Sequence, residues 1–188
     1  KLGTMARLIA FGCSFTLGAG LESPSQAYPH VLASLLDRQC VNKGIGGASN
    51  KEIWNALVNF RFKKDDWVFV NWTFTHRNYF NGQQFLICDN QTKDEEYYYR
   101  KLYNRKDAKD DWIIRMNHAG AYLQSKNIPL YNTVIERNMA RWLPKYNTQK
   151  ILHAHWEWYQ NKYPKATDNS HPGPLTHAAL AQNIFELI

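Results

Sequence analysis

The sequence has no apolar run approaching the roughly 20 residues that cross a bilayer, so no membrane-spanning helix is expected. It opens without a secretory hydrophobic segment. Lys1 to Thr4 read as an expression scar ahead of an initiator at Met5, and a cytoplasmic location is expected. Cysteine is scarce: Cys13, Cys40 and Cys88 are odd in number and far apart. That argues against a disulfide framework and for a reducing compartment. With no Cys-x-x-Cys pair, a structural zinc site is not expected. His153 and His155 have metal-like spacing, but no carboxylate or third histidine is spaced to complete a set, and they read as a surface pair. No metal and no organic cofactor is expected.

Acidic residues are also under-represented, at 16 against 23 Lys and Arg, which leaves a net charge of +7. Basic charge with 14% aromatic residues is compatible with a nucleic acid or glycan surface. Charge alone says nothing about fold, and a basic globule without a nucleic-acid partner is the simpler reading. Hydrophobic residues make up 44% of 188, enough for a packed core in one domain. Residues 6–188 are therefore expected to form a single domain.

What the chain does have is an alternation of buried strands and amphipathic helices. Ala6 to Gly12 is an apolar run that stops at a glycine, followed by a loop rich in Gly, Ser and Pro. Tyr28 to Leu36 has helical apolar spacing, with Pro29 suited to a first turn. Cys40 to Asn42 reads as a short strand, and Lys43 to Asn50 as a glycine-rich turn. A helix over Lys51–Val58 follows, with Ser49 or Asn50 as its N-cap. Trp67 to Trp72 is a third strand of β-branched and aromatic residues. Strand, helix, strand, helix, strand predicts a parallel sheet with right-handed crossovers.

The segment around 73–111 departs from this rhythm. It reads as a charged, tyrosine-rich insertion, with a small strand near Phe85–Cys88 and a helix reaching about Lys126. That helix buries Trp112, Ile113, Met116, Ala119 and Leu123. Ile128 to Val134 is a fourth core strand. Glu136 to Tyr163 is not legible beyond a partly buried helix or loop around Trp156, Trp158 and Tyr159. Thr167 to Pro174 is a turn-rich loop. Leu175 to Leu187 is a last helix, with Ala178, Leu180, Ala181, Ile184 and Phe185 available for its buried face.

Ser14 stands two residues past the end of the first strand, where open α/β sheets bind ligands. A serine hydroxyl needs a base to become a nucleophile, and a histidine oriented by a carboxylate is the usual one. Asp168 and His171 stand three residues apart in the late loop. An acyl-transfer site also needs donors for the oxyanion. The Ser14 turn, Gly47 and a polar group after the third strand, Asn71 or Thr73, are the candidates. Cys13 is a rival nucleophile whose side chain should point away from that of Ser14. Arg77 reads as a surface arginine, with an anion-holding role as the alternative.

These residues carry a resemblance. Gly12-Cys13-Ser14-Phe15-Thr16 resembles the first block of the SGNH (GDSL-type) hydrolases. Asn42-Lys43-Gly44-Ile45-Gly46-Gly47-Ala48-Ser49 is similar to the second, and Asp168-Asn169-Ser170-His171-Pro172 to the last. The order holds over nearly the whole chain. The resemblance implies a doubly wound, three-layer α/β/α fold with a mostly parallel sheet of about five strands, flavodoxin-like in plan. It also implies hydrolysis of an ester or O-acetyl group, on a small molecule or a carbohydrate, through an acyl-serine. Ser14, His171 and Asp168 take the family roles of nucleophile, base and orienting acid, and Gly47 that of oxyanion donor. The first block has Cys13 in place of the common aspartate. The third block, commonly Gly-x-Asn-Asp, is replaced by Asn71-Trp72-Thr73-Phe74, which sets Thr73 at the asparagine. The alternative reading is an impaired binding module of this fold for a glycan or nucleic acid.

Overall fold

The computed structural model describes residues 6–80, 82–87, 91–143, 149–159 and 162–188. Strand β1 (Arg7–Gly12) runs into a one-turn helix α1 (Ser14–Leu17). Helix α2 (Tyr28–Leu35) leads to β2 (Gln39–Gly44), and α3 (Asn50–Val58) leads to β3 (Trp67–Trp72). Then come the hairpin β4 (Asn78–Phe80) and β5 (Gln83–Phe85), α4 (Lys93–Tyr97), a π-helical turn over Tyr98–Leu102, and the long α5 (Arg105–Gln124). The chain continues through β6 (Leu130–Val134), α6 (Arg137–Ala140), a 3₁₀ turn at Trp156–Trp158 and α7 (Pro174–Leu187).

The central sheet is parallel, with order β2-β1-β3-β6. Ile151 pairs in parallel with Asn132 at the place of a fifth strand, one residue long. From β1 the chain steps first to one side, to β2, and then to the other, to β3. Right-handed crossovers in opposite directions lay their helices on opposite faces. Accordingly α2 packs with α7, and α3 with α5. The reversal makes the gap between β1 and β3 the switch point, and Ser14 follows directly from β1.

β1 and β3 are buried on both faces, so Leu8, Ile9, Ala10, Phe11, Val68, Phe69 and Val70 form one unbroken apolar slab. α3 starts from a capping box: the Ser49 hydroxyl accepts from the Glu52 N–H, and Glu52 accepts from the Ser49 N–H. α5 buries Trp112, Met116, Ala119 and Leu123 as the spacing predicts, and Ile113 is partly buried. α7 buries Thr176, His177, Leu180, Ala181 and Ile184, whereas Ala178 and Phe185 face solvent. Leu180, Ala181 and Ile184 are thus buried as expected, Ala178 and Phe185 are not, and the buried His177 is one that apolar spacing does not mark. The extra strand lies at Gln83–Phe85, ahead of the expected Phe85–Cys88, and Cys88 is outside the described residues. Trp156 is fully buried in its short turn, while Trp158 is 42% exposed.

Candidate active site

Cys13 is the N-cap of α1, and its carbonyl accepts from Thr16 and Leu17, each at 3.0 Å. Ser14 is thus the first helical residue, and its own N–H has no acceptor within the helix. Its side chain is nearly buried, and Oγ makes no hydrogen bond among the described residues. Cys13 is fully buried and free. The Asn42 amide donates to the Thr16 carbonyl at 2.8 Å and ties α1 to β2.

The loop from Lys165 to Pro172 is closed by an antiparallel bridge between those two residues and by the Ala166 N–H donating to the His171 carbonyl at 2.9 Å. Inside it, Asp168 Oδ1 accepts from the backbone N–H groups of Ser170 (3.0 Å) and His171 (2.9 Å). Asp168 Oδ2 lies 2.5 Å from His171 Nδ1. The two backbone donors, His171 first, and then the imidazole hold the Asp168 carboxyl well below the usual carboxylate range. The Ser170 hydroxyl also reaches His171 Nδ1, at 3.2 Å. The His171 ring stands edge-on to Phe15, the neighbour of Ser14, at 5.9 Å between centroids.

This loop is fastened to the first one. The Gly20 carbonyl accepts from both the N–H (3.1 Å) and the hydroxyl (2.8 Å) of Thr167. Gly20 has φ +78, and a Cβ there would lie 2.6 Å from Asp168 Cγ. Only glycine allows that turn to press against the carboxylate. Neither Gly20 nor Thr167 stood out in the sequence.

Gly47 (φ +70) sits in the turn after β2, and its N–H donates to no group among the described residues. Gln84, from the inserted hairpin, reaches over this turn. Its amide donates to the Gly46 carbonyl (3.0 Å) and to Glu52 Oε1 (3.1 Å). The inserted segment therefore touches the second block directly.

At the end of β3, both candidates for a third donor, Asn71 within the strand and Thr73 just past it, are fully buried. Asn71 Oδ1 accepts from Thr133 on β6 at 3.2 Å, which leans its side chain away from β1, and Nδ2 has no partner among the described residues. Thr73 is clamped by Asn50, whose amide accepts from the Thr73 N–H (2.8 Å) and donates to its carbonyl (3.0 Å). The Thr73 hydroxyl accepts from Arg77 at 3.2 Å, which leaves its own proton free. Asn50, read only as a possible helix cap, is what joins the second block to the third strand.

His177 is linked to the Asp168–His171 loop through Trp156 and Phe15. It is fully buried, and Nδ1 accepts from the Tyr28 N–H at 3.0 Å. Burial pushes its pKa down to about 4, against the opposing pull of the Pro172 carbonyl. Trp156 packs between it (4.8 Å) and Phe15 (5.2 Å).

No protein-family model matches the sequence, and no curated protein does. Solved structures do match. A member of the lipolytic protein G-D-S-L family from Veillonella parvula superposes with a TM-score of 0.58 at 11% identity, over 97% of this chain and 98% of that one. The lipase Lip_vut3 from a goat rumen metagenome gives 0.60 at 14%, over 98% and 97%. A catalytic mutant of Axe2, an acetylxylan esterase from Geobacillus stearothermophilus, gives 0.56 at 15%, over 97% and 93%. At such identities the likeness is one of backbone plan: a parallel sheet flanked by helices, shared along almost the full length of both chains. The chain has the fold of the G-D-S-L lipolytic proteins and esterases.

Proposed function

We propose that the protein is a serine hydrolase of carboxylic esters, acting on a small-molecule or carbohydrate ester. The observation that carries this reading is the 2.5 Å pair of Asp168 Oδ2 and His171 Nδ1, seated against Phe15 one residue from Ser14. The carboxylate fixes the imidazole with Nδ1 protonated, so Nε2 is the basic nitrogen. Ser14 Oγ attacks the ester carbonyl as His171 takes its proton. The oxyanion forms against the N–H groups of Ser14 and Gly47. Thr73 is the better third donor, because its hydroxyl proton is free while the Asn71 side chain leans toward β6. The alcohol leaves with the proton from His171. A water, deprotonated by His171, then releases the acid from Ser14. Among the described residues Ser14 and His171 share no hydrogen bond; catalytic bonds of this kind often tighten only in the substrate complex.

A fluorophosphonate probe tests the assignment. Wild type is expected to label and Ser14→Ala is not; equal labelling of both overturns it. The alternative, an impaired binding module, draws on the sealed position of Asn71 and Thr73. It requires that no short aryl ester be turned over.

A further inference from the structure

Arg77 lines a cavity of about 290 Å³ between the start of α3, the β4–β5 hairpin and the start of α5. Most polar groups on its wall are already engaged. Asn50 is bound to the Thr73 backbone. The Asn78 amide donates to the Tyr98 hydroxyl. Asn104 caps α5 through the N–H groups of Lys106 and Asp107. Asp111 and Arg115 are joined by two hydrogen bonds of 2.7 Å.

Among the described residues of the wall, that leaves Arg77, Lys51, Asp107, the Asn104 Nδ2 donors and the Thr75 and Tyr98 hydroxyl protons open. Two cations face one anion. The open charge is net positive, which favours an anionic ligand over a neutral polyol. Arg77 is also aimed in advance. One Nη1 donates to Thr73, and the guanidinium lies 5.0 Å over the Phe74 ring. Its remaining N–H groups are held in direction before a ligand arrives, and a planar fork of donors matches a carboxylate. Ser14, Gly47 and His171 do not line the cavity, but two of its wall residues reach the proposed ester site: Arg77 donates to the Thr73 hydroxyl, and Asn50, three residues from Gly47, grips the Thr73 backbone.

We propose that this cavity takes a carboxylate carried by the ester substrate, with Arg77 as its principal ligand and Lys51 in support. The inference rests on the hydrolase reading but is testable apart from it. The paired substrates are 4-acetoxybenzoate and its neutral methyl ester, compared by kcat/KM. Wild type is expected to favour the anion about tenfold or more, since a charge-assisted bond has that strength. Arg77→Gln should lower the anion-to-neutral ratio about tenfold, and Lys51→Gln less. The ratio is the readout because disturbing Thr73 would slow both esters alike. No preference in wild type, or an unchanged ratio in both variants, overturns the proposal. Lys51 is exposed, so its variant still decides the matter if Arg77→Gln does not fold.

If neither ester is turned over, calorimetric titration with 4-hydroxybenzoate and its methyl ester takes their place. Anion binding weakened in Arg77→Gln, with the methyl ester unchanged, upholds the cavity while the hydrolase reading fails. Equal anion binding by wild type and both variants overturns the cavity.

Discussion

Polar residues at the two ends of the central sheet are in opposite conditions. At the N-terminal end Arg7 forks onto Asp66, with Nε at 2.8 Å and Nη2 at 2.6 Å, and the Lys63 N–H adds a third bond at 2.6 Å. Arg38 donates to the Asp65 carbonyl at 2.8 Å and lies 4.0 Å over the Trp67 ring. At the C-terminal end Ser14 Oγ and the Gly47 N–H have no partner among the described residues, and Arg77 has donors to spare. Groups satisfied within the chain stabilise the chain. Groups held in place yet unsatisfied favour whatever ligand completes them. On the proposed function, the difference separates an end that holds the fold from an end that binds substrate.

The comparison breaks if chemistry and stability do not separate along it. Ser14→Ala should lower kcat about 10⁴–10⁶-fold, as loss of a nucleophile does in a triad acting as a unit, with urea stability almost unchanged. Asp66→Ala should do the reverse. It strands Arg7 beside a site with only 2% of the Asp66 side chain exposed, and should cost about 3–5 kcal/mol. Esterase activity per folded molecule should hold. If Asp66→Ala fully folds yet loses turnover, the division of labour is wrong.

Thr73→Val sharpens the view of the binding end. Loss of one oxyanion donor costs about 10²–10³ in kcat, so that fall, with KM little changed, is expected here. Asn71→Ala should chiefly weaken the fold. The opposite pattern would hand the role to Asn71.

The smallest effect concerns His177. Unfolded, it takes a proton near pH 6.5; folded, it does so only near 4. Between those values the unfolded chain binds more protons, so stability rises with pH. From pH 5 to 7 this one histidine should contribute about 2 kcal/mol. His177→Asn, which keeps an acceptor for the Tyr28 N–H, should flatten that rise in urea titrations. An identical slope would mean the imidazole is not held neutral.

How far the sequence foretold this depends on whether a signal is local. β3 is legible to the residue because a strand buried on both faces is a continuous apolar run. The α3 start is legible to within a residue: Ser49 or Asn50 reads as the cap, and Ser49 is the one that caps. Ser14, Gly47, Asp168 and His171 stand out because each lies in a short block. The contacts that assemble them are not local: Thr167 on Gly20, Asn50 on Thr73, Gln84 on Gly46. A threonine, an asparagine and a glutamine carry no periodicity that announces a distant partner. Trp156 buries itself from a three-residue turn, and so the stretch around it gives no pattern to read. Arg77 reads as a surface arginine because its ties to Thr73 and Phe74, though close in sequence, depend on how the turn after β3 folds.

The tie between Thr167 and Gly20 has a consequence in time. It joins positions 147 apart in the chain. Long-range closures are slow relative to local ones, and in synthesis the last loop emerges after all four sheet strands. The Ser14 turn can therefore form well before the Asp168–His171 loop is docked. On the proposed function, a half-folded chain carries Ser14 without the base it needs. In refolding, recovery of helix and sheet signal is expected to precede recovery of turnover, so activity reports the final closure of the molecule and not its collapse.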